Sequence, residues 1–196
     1  MASAYERRKD PEAVRRALLN CAALIAGSEG LAAVTVAGVS AAAGVTKGAL
    51  FHHFANKQAM VDAMVNELMQ ELDAALDDLI AADQVPRGSF TRAYVHAALS
   101  MDDDTTRIWS ALFSSLTAET LMAAQWHAWL AQRLRHHADT DAGELLEVVR
   151  LAADGAWFTS LSVGASARVL DLPAIRARLI AMTFLTTATP SGEHHV

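Results

Sequence analysis

The strongest constraint on this chain is where it can and cannot continue a helix. Glycines and prolines sit mainly at breaks in the apolar pattern, and the segments between them are filled with Ala, Leu and other strong helix formers. Of the 196 residues, 53% are hydrophobic, and a chain of this length suits one full domain or a small module joined to a larger one. The expected class is all-α, with about nine helices. No run of about 18 or more uncharged apolar residues occurs, so no membrane-spanning helix is expected. Met1 to Asp10 carry basic side chains with no apolar stretch behind them, unlike a secretory signal. Cys21 is the one cysteine, which excludes an intramolecular disulfide and fits a reducing cytoplasm. Its place on the apolar stripe of the first helix marks a small core residue rather than a redox sensor.

Local signals place the first four helices. Asp10, Pro11 and Glu12 suit a helix start, and Val14, Leu18, Cys21 and Ile25 form one apolar face up to Glu29. Gly30 is expected as a left-handed terminator. Thr35 caps a short helix through Ala43, with Val36 and Val39 inward. Gly44 makes a tight turn, with Val45 in the core beneath it. Thr46 caps a third helix from Lys47 to His53, with Leu50 and Phe54 inward. Asn56 caps a long fourth helix from Lys57 to about Ala82, whose apolar positions are Val61, Met64, Leu68, Leu72, Ala75 and Leu79. Beyond the break at Asp83–Gly88, helices are expected over 89–101, 105–115, 119–138, 142–164 and 172–187, with a loose tail from Pro190. This divides the chain into a three-helix helix-turn-helix head, 1–56, and a C-terminal helical bundle, 57–196.

Net charge is −6, but it is unevenly spread. Residues 1–57 hold Arg7, Arg8, Lys9, Arg15, Arg16, Lys47 and Lys57 against Glu6, Asp10, Glu12 and Glu29, so the acidic excess lies wholly in the remainder. That pattern fits a phosphate-facing end on an acidic body. Two short helices joined through residues 39–46 make a helix-turn-helix, the first crossing the DNA backbone and the second setting its leading turn in the major groove. Thr35-Val36, then Ala43-Gly44-Val45-Thr46-Lys47-Gly48-Ala49-Leu50-Phe51-His52-His53-Phe54, then Asn56-Lys57, closely resembles the signature of the TetR family. The resemblance covers residues 11–60 in detail and only helix count and lengths after that.

Each residue type in the motif has a physical role. Thr35 and Thr46 combine a cap with a hydroxyl that can reach a phosphate. Lys47 brings a cation to the groove, Gly48 admits close backbone approach, and Ala49 is small enough to meet a thymine methyl. His52 and His53 can donate to phosphates, and Lys57 adds charge at the footprint's edge. Arg7, Arg8 and Lys9 form either an arm on the DNA or a solvated tail. At Phe51 many relatives carry Tyr, so a hydroxyl contact to phosphate is missing while aromatic packing remains.

The resemblance also implies a homodimer on a palindromic double-stranded operator, with a small molecule in the bundle displacing the fourth helix. Half-sites about 34–36 Å apart lose register on a shift of a few ångströms. Met101, Trp109, Phe113, Met122, Trp126, Trp129, Trp157 and Phe158 are the aromatic and Met candidates for an apolar pocket, with plain core packing as the alternative. Asp154 interrupts an apolar stretch. It is either a buried carboxylate awaiting a partner, such as a cationic ligand, or an exposed pair with Arg150; the pair is the preferred reading. His96, Gln125 and His127 are lesser candidates. The last two helices are expected to form the dimer face, with Ala153, Ala156, Ser160 and Gly164 as a stripe for close approach; packing inside one subunit is the alternative.

No H-E-x-x-H, E-x-x-H pair, G-x-S-x-G or phosphate-binding loop occurs. His136-His137 and His194-His195 lack acids at ligand spacing. No catalytic residue, metal or cofactor is therefore expected. The resulting expectation is a cytoplasmic, sequence-specific DNA-binding regulator, a repressor released by a small apolar or cationic effector. The alternative is a DNA-binding regulator without an effector, architectural or protein-controlled.

Overall fold

The computed structural model describes residues 10–114, 121–162 and 170–185, the side chains of 121–123 and 162 excepted. Among the described residues the regular structure is helical and no strand occurs. None of these helices is long and apolar enough to cross a membrane. Arg7–Lys9, Gly164, the side chain of Met122 and the tail from Pro190 lie outside the described residues.

Helix α1, Pro11–Glu29, begins as its sequence dictates. The Asp10 carboxylate accepts from the Glu12 amide at 3.0 Å, and Pro11 occupies the first turn. Its end differs from expectation. Gly30 has φ 86° but ψ 161°, a positive-φ conformation outside the left-handed helical well. A 3₁₀ turn over Leu31–Ala33 follows, which the sequence pattern did not announce. Then come α2 (Val36–Ala42), α3 (Lys47–His53) and α4 (Lys57–Ala82). α2 ends one residue earlier than expected, and Ala43 caps it.

The chain divides into two compact units, residues 1–71 with 102–123, and residues 72–101 with 124–196. Packing therefore does not follow the expected linear division after residue 56. α4 gives its first part to one unit and its last part to the other. In the first unit, α6 (Asp103–Ser114) returns to pack along α1. The physical cause is the breadth of the α1 face: Leu18, Leu19, Ala22, Ala23 and Ala26 are all buried, more than two seven-residue helices can cover. α6 supplies Trp109 and Leu112, both buried. At Gly27 the helices touch backbone to backbone, since a Cβ there would lie 3.0 Å from Ile108 Cγ1 and 3.1 Å from its amide nitrogen.

The second unit holds α5 (Ser89–Leu99), α7 (Leu121–His136), the short α8 (Ala138–Asp141), α9 (Glu144–Ser162) and α10 (Leu172–Met182). Its first core cluster is Leu76, Phe90, Ala93 and Tyr94. It is this cluster that turns the buried stripe of α4: Leu76 is fully buried, whereas Ala75, the expected position, is exposed. A second cluster joins Val95, Leu99, Val149, Ala153, Ala156 and Leu179 from α5, α9 and α10. The small residues Ala153 and Ala156 thus serve packing within the chain and not an outer face, which corrects the stripe expected for the dimer. Ser160, of the same stripe, is half-buried and donates to the Trp157 carbonyl at 2.6 Å.

Long-range polar contacts fix the start of α5. Gly88, its N-cap, offers no side chain, and the buried Asp141 carboxylate accepts from the Thr91 amide at 2.7 Å and the Phe90 amide at 3.3 Å. An anion at a helix N-terminus satisfies the orphan donors and the dipole together. Arg92, only 6% exposed, closes the α4–α5 connection. It pairs with Asp83 at 2.6 Å and donates to the carbonyls of Val85 and Arg87 and to the Thr183 hydroxyl. The guanidinium hydrogen bond holds the Asp83 carboxyl below the usual carboxylate range.

Candidate nucleic-acid interface and ligand cavity

The α2–α3 unit is built from two matched caps. Thr35 Oγ1 accepts from the Gly38 amide at 3.0 Å, and Thr46 Oγ1 accepts from the Ala49 amide at 3.1 Å. Both threonines are exposed, so each hydroxyl, having accepted from its helix, still has a proton to donate outward. The turn between the helices is tied by Val45 N–H to the Ser40 carbonyl at 2.9 Å, with Gly44 at φ 65°. Only a residue without a Cβ adopts that angle freely.

α3 is anchored from beneath by Leu50 and Phe54, which are 0% and 4% exposed. The guanidinium of Arg15, on α1, lies 5.5 Å from the Phe54 ring centroid. The opposite face is open. Lys47, Gly48, Phe51 and His52 are exposed, and their spacing places them on one side of the helix. Ala49 and His53 are half-buried. His53 lies against Phe54, the ring centroids 6.3 Å apart, so it is the more enclosed of the two histidines. Asn56 caps α4 through Ala59 N–H at 2.8 Å. Lys57 is exposed yet engaged: its ammonium donates to the Ala32 carbonyl at 3.2 Å, tying the start of α4 to the 3₁₀ turn. Nothing in the local sequence pointed to that bond, because the turn itself was not expected.

The aromatic candidates for the pocket are not gathered into one place. Trp109 is buried and Phe113 half-buried on α6, their centroids 6.1 Å apart, in the first unit. Met101, half-buried, and Trp126, Trp129, Trp157 and Phe158 belong to the second. Trp126 and Trp129 pair at 4.7 Å, and Trp129 Nε1 donates to Asp73 at 2.7 Å. Arg133 also bonds Asp73 and reaches Asp77 at 2.7 Å. Trp157 packs against the second core cluster, while Phe158 is 65% exposed.

A cavity of about 410 Å³ lies elsewhere in the second unit, among α5, α7, α8 and α9. Leu130, Leu134 and Leu151 give it an apolar wall, and Tyr94, Asp141, Glu147, Arg150 and Asp154 give it polar groups. Asp154 is the one predicted ligand residue among those lining it. His96 and His127 are exposed and Gln125 half-buried, and none of them lines it.

The preferred reading of Asp154 as an exposed pair with Arg150 is overturned. Arg150 is buried and donates to Thr91 Oγ1 at 2.6 Å and to the Asp141 carbonyl at 3.4 Å. Asp154 is half-buried and accepts from the Tyr94 hydroxyl at 2.7 Å. Burial pushes the Asp154 carboxyl up, against the opposing pull of the Tyr94 hydrogen bond and of the Arg150 charge. Burial likewise pushes the Tyr94 hydroxyl far up, with the neighbouring carboxylate adding to it, so it stays a donor. The signal for this dyad was the carboxylate inside an apolar run; its partner, 60 positions away, left no local trace.

Comparison with known proteins gives matches over both units. Residues 18–64 match the family model described as bacterial regulatory proteins, tetR family. Residues 88–184 match that of the tetracyclin repressor-like C-terminal domain. The chain is 35% identical over 68 residues to the HTH-type transcriptional repressor KstR2 of Rhodococcus jostii, covering 35% of this chain and 33% of that protein. It is 36% identical over 72 residues to KstR2 of Mycobacterium tuberculosis, covering 37% and 36%. The matched segments thus span roughly a third of those relatives. Among solved structures, a transcriptional regulator from Rhodococcus sp. Rha1 is similar with TM-score 0.65 and 20% identity, over 89% of this chain and 94% of that one. The ketosteroid transcriptional regulator KstR2 of Mycobacterium tuberculosis is similar with TM-score 0.59 and 20% identity, over 86% and 92%. At these identities the structures speak for the fold.

Proposed function

The chain belongs to the TetR family of bacterial regulatory proteins, and from that premise we propose that it is a homodimeric transcriptional repressor that binds a palindromic operator through α3. The observation that carries this is the exposed face of α3, with Lys47, Gly48, Phe51 and His52 turned to solvent above the Leu50 and Phe54 anchors. A short helix held from below by apolar side chains and capped by an outward hydroxyl suits insertion into a major groove. Thr35, Thr46 and Lys57 supply phosphate contacts around it, Lys47 and Ala49 reach toward bases, and His52 and His53 donate at the margin.

Dimerisation falls to α9 and α10. On α9 Val148 is 53% exposed, and beyond the end of α10 Phe184 and Leu185 are 53% and 57% exposed. Large apolar side chains left exposed are what a second copy would cover. The second unit takes a small-molecule effector whose binding releases the DNA.

The test is recovery of bound fragments from the source genome, followed by titration of the best fragment at several salt concentrations. A steep loss of affinity with salt is expected. Lys47→Ala should cost about 1–3 kcal/mol and relax sequence choice if the ammonium reads a base. A monomer that binds no fragment at low salt would end this reading.

A further inference from the structure

The cavity of the second unit carries a charge balance that selects among ligands. Three carboxyl groups, Asp141, Glu147 and Asp154, line it against one guanidinium, Arg150. The guanidinium is already committed to Thr91 and to the Asp141 backbone. The Asp141 carboxylate is likewise spent, on the amides at the start of α5 and on the Thr140 hydroxyl at 2.8 Å. Asp154 differs. Tyr94 donates to its Oδ1, and among the described residues its Oδ2 accepts no hydrogen bond. A carboxylate held by a buried hydroxyl through one oxygen, in a cavity also lined by Leu130, Leu134 and Leu151, suits one hydrogen-bond donor on an apolar body.

We propose that this cavity is the site of a small apolar amine, whose ammonium group is held by the Asp154 carboxylate, with Tyr94 positioning that carboxylate. The proposal rests on the effector-controlled reading given above and names the ligand class for it. An ammonium ion offsets the negative excess of the wall, completes the hydrogen bonding of Asp154 and adds a cation in direct contact with it. An anionic head meets the opposite field. A volume of about 410 Å³ suits a body of modest size, within the usual range for small-molecule sites.

The experiment uses the intact chain with three probes of equal length, n-octylamine, octan-1-ol and octanoate, titrated by calorimetry. Octylamine should bind at least tenfold more tightly than octanol, and octanoate should be weakest. Asp154→Asn, which keeps an acceptor for Tyr94, should lose tenfold or more of the amine affinity with the octanol affinity unchanged. Tyr94→Phe should weaken the amine less. Both variants are compared by thermal melting, so that a folding defect is seen separately. Because burial raises the Asp154 carboxyl, its proton must leave before the ammonium can pair. Amine affinity should therefore climb with pH through that raised range and then level off, with Tyr94 on α5, Asp141 on α8, and Glu147 and Arg150 on α9 as the facing groups; octanol affinity should stay flat. Equal binding of amine and alcohol, preference for octanoate, or an unaffected Asp154→Asn variant overturns the proposal. No binding of any probe by a protein that still holds its operator also overturns it, and leaves the DNA reading standing. Amine binding that does not release the DNA supports the site and overturns effector control.

Discussion

Lys57 faces the solvent and holds the Ala32 carbonyl with the same ammonium, so its removal should be felt twice. Lys57→Ala is expected to lower stability by about 0.5 kcal/mol, the low end for an exposed hydrogen bond, and to weaken binding to all DNA sequences while reducing the salt slope by about one. Chemical denaturation and DNA titration measure the two effects separately. Arg92 is the more expensive residue. Arg92→Met leaves Asp83 with only the Val85 amide as donor and takes the guanidinium from two carbonyls and the Thr183 hydroxyl, and about 2–3 kcal/mol of unfolding free energy should be lost. The sequence exposes some single residues well. Thr35, Thr46, Asp10 and Asn56 announce themselves because a cap is a contact with the next few residues. Asp154 announced only that something was unusual, and the role of Arg92 was invisible, because their partners come from helices far along the chain.

Helices report their own limits but not their neighbours. Most of the expected boundaries hold to within a few residues, since propensity and capping are local. The pairing of α1 with α6 was not legible: it depends on how much of α1 the short helices leave uncovered. Two glycines test this at the level of the element. Ala normally favours a helix interior over Gly by about 1 kcal/mol. At Gly27 a Cβ meets the side chain and backbone of Ile108, and the crowding should outweigh that gain, leaving Gly27→Ala about 1 kcal/mol less stable. At Gly155, exposed on α9, a Cβ meets nothing within 4 Å, so Gly155→Ala should stabilise the protomer by roughly 0.5–1 kcal/mol. Melting curves of the two variants should move in opposite directions. Loss of self-association by Gly155→Ala in analytical ultracentrifugation would mark that glycine as a point of close approach between copies.

At the level of the molecule, the first unit collects α1 to α3, the start of α4, and α6. A fragment ending at residue 101 lacks α6 and uncovers the α1 face on which Trp109 and Leu112 are buried. Each such side chain contributes about 1.5–3 kcal/mol by burial, a large share of the roughly 5–15 kcal/mol that holds a domain. That fragment should show a low, broad thermal transition by circular dichroism, where the intact chain melts sharply. The division at residue 56, natural on reading the motif, followed the chain, whereas the packing of α6 is set by surface left exposed in three dimensions.

The polypeptide passes between the two units three times, after residues 71, 101 and 123. Anyone building a hybrid regulator by splicing this reading head to a foreign sensor at one junction would import a foreign sixth helix with it. Gly27, cut to fit Ile108, would then face a stranger. A working graft must transplant residues 102–123 together with 1–71, three cuts rather than one.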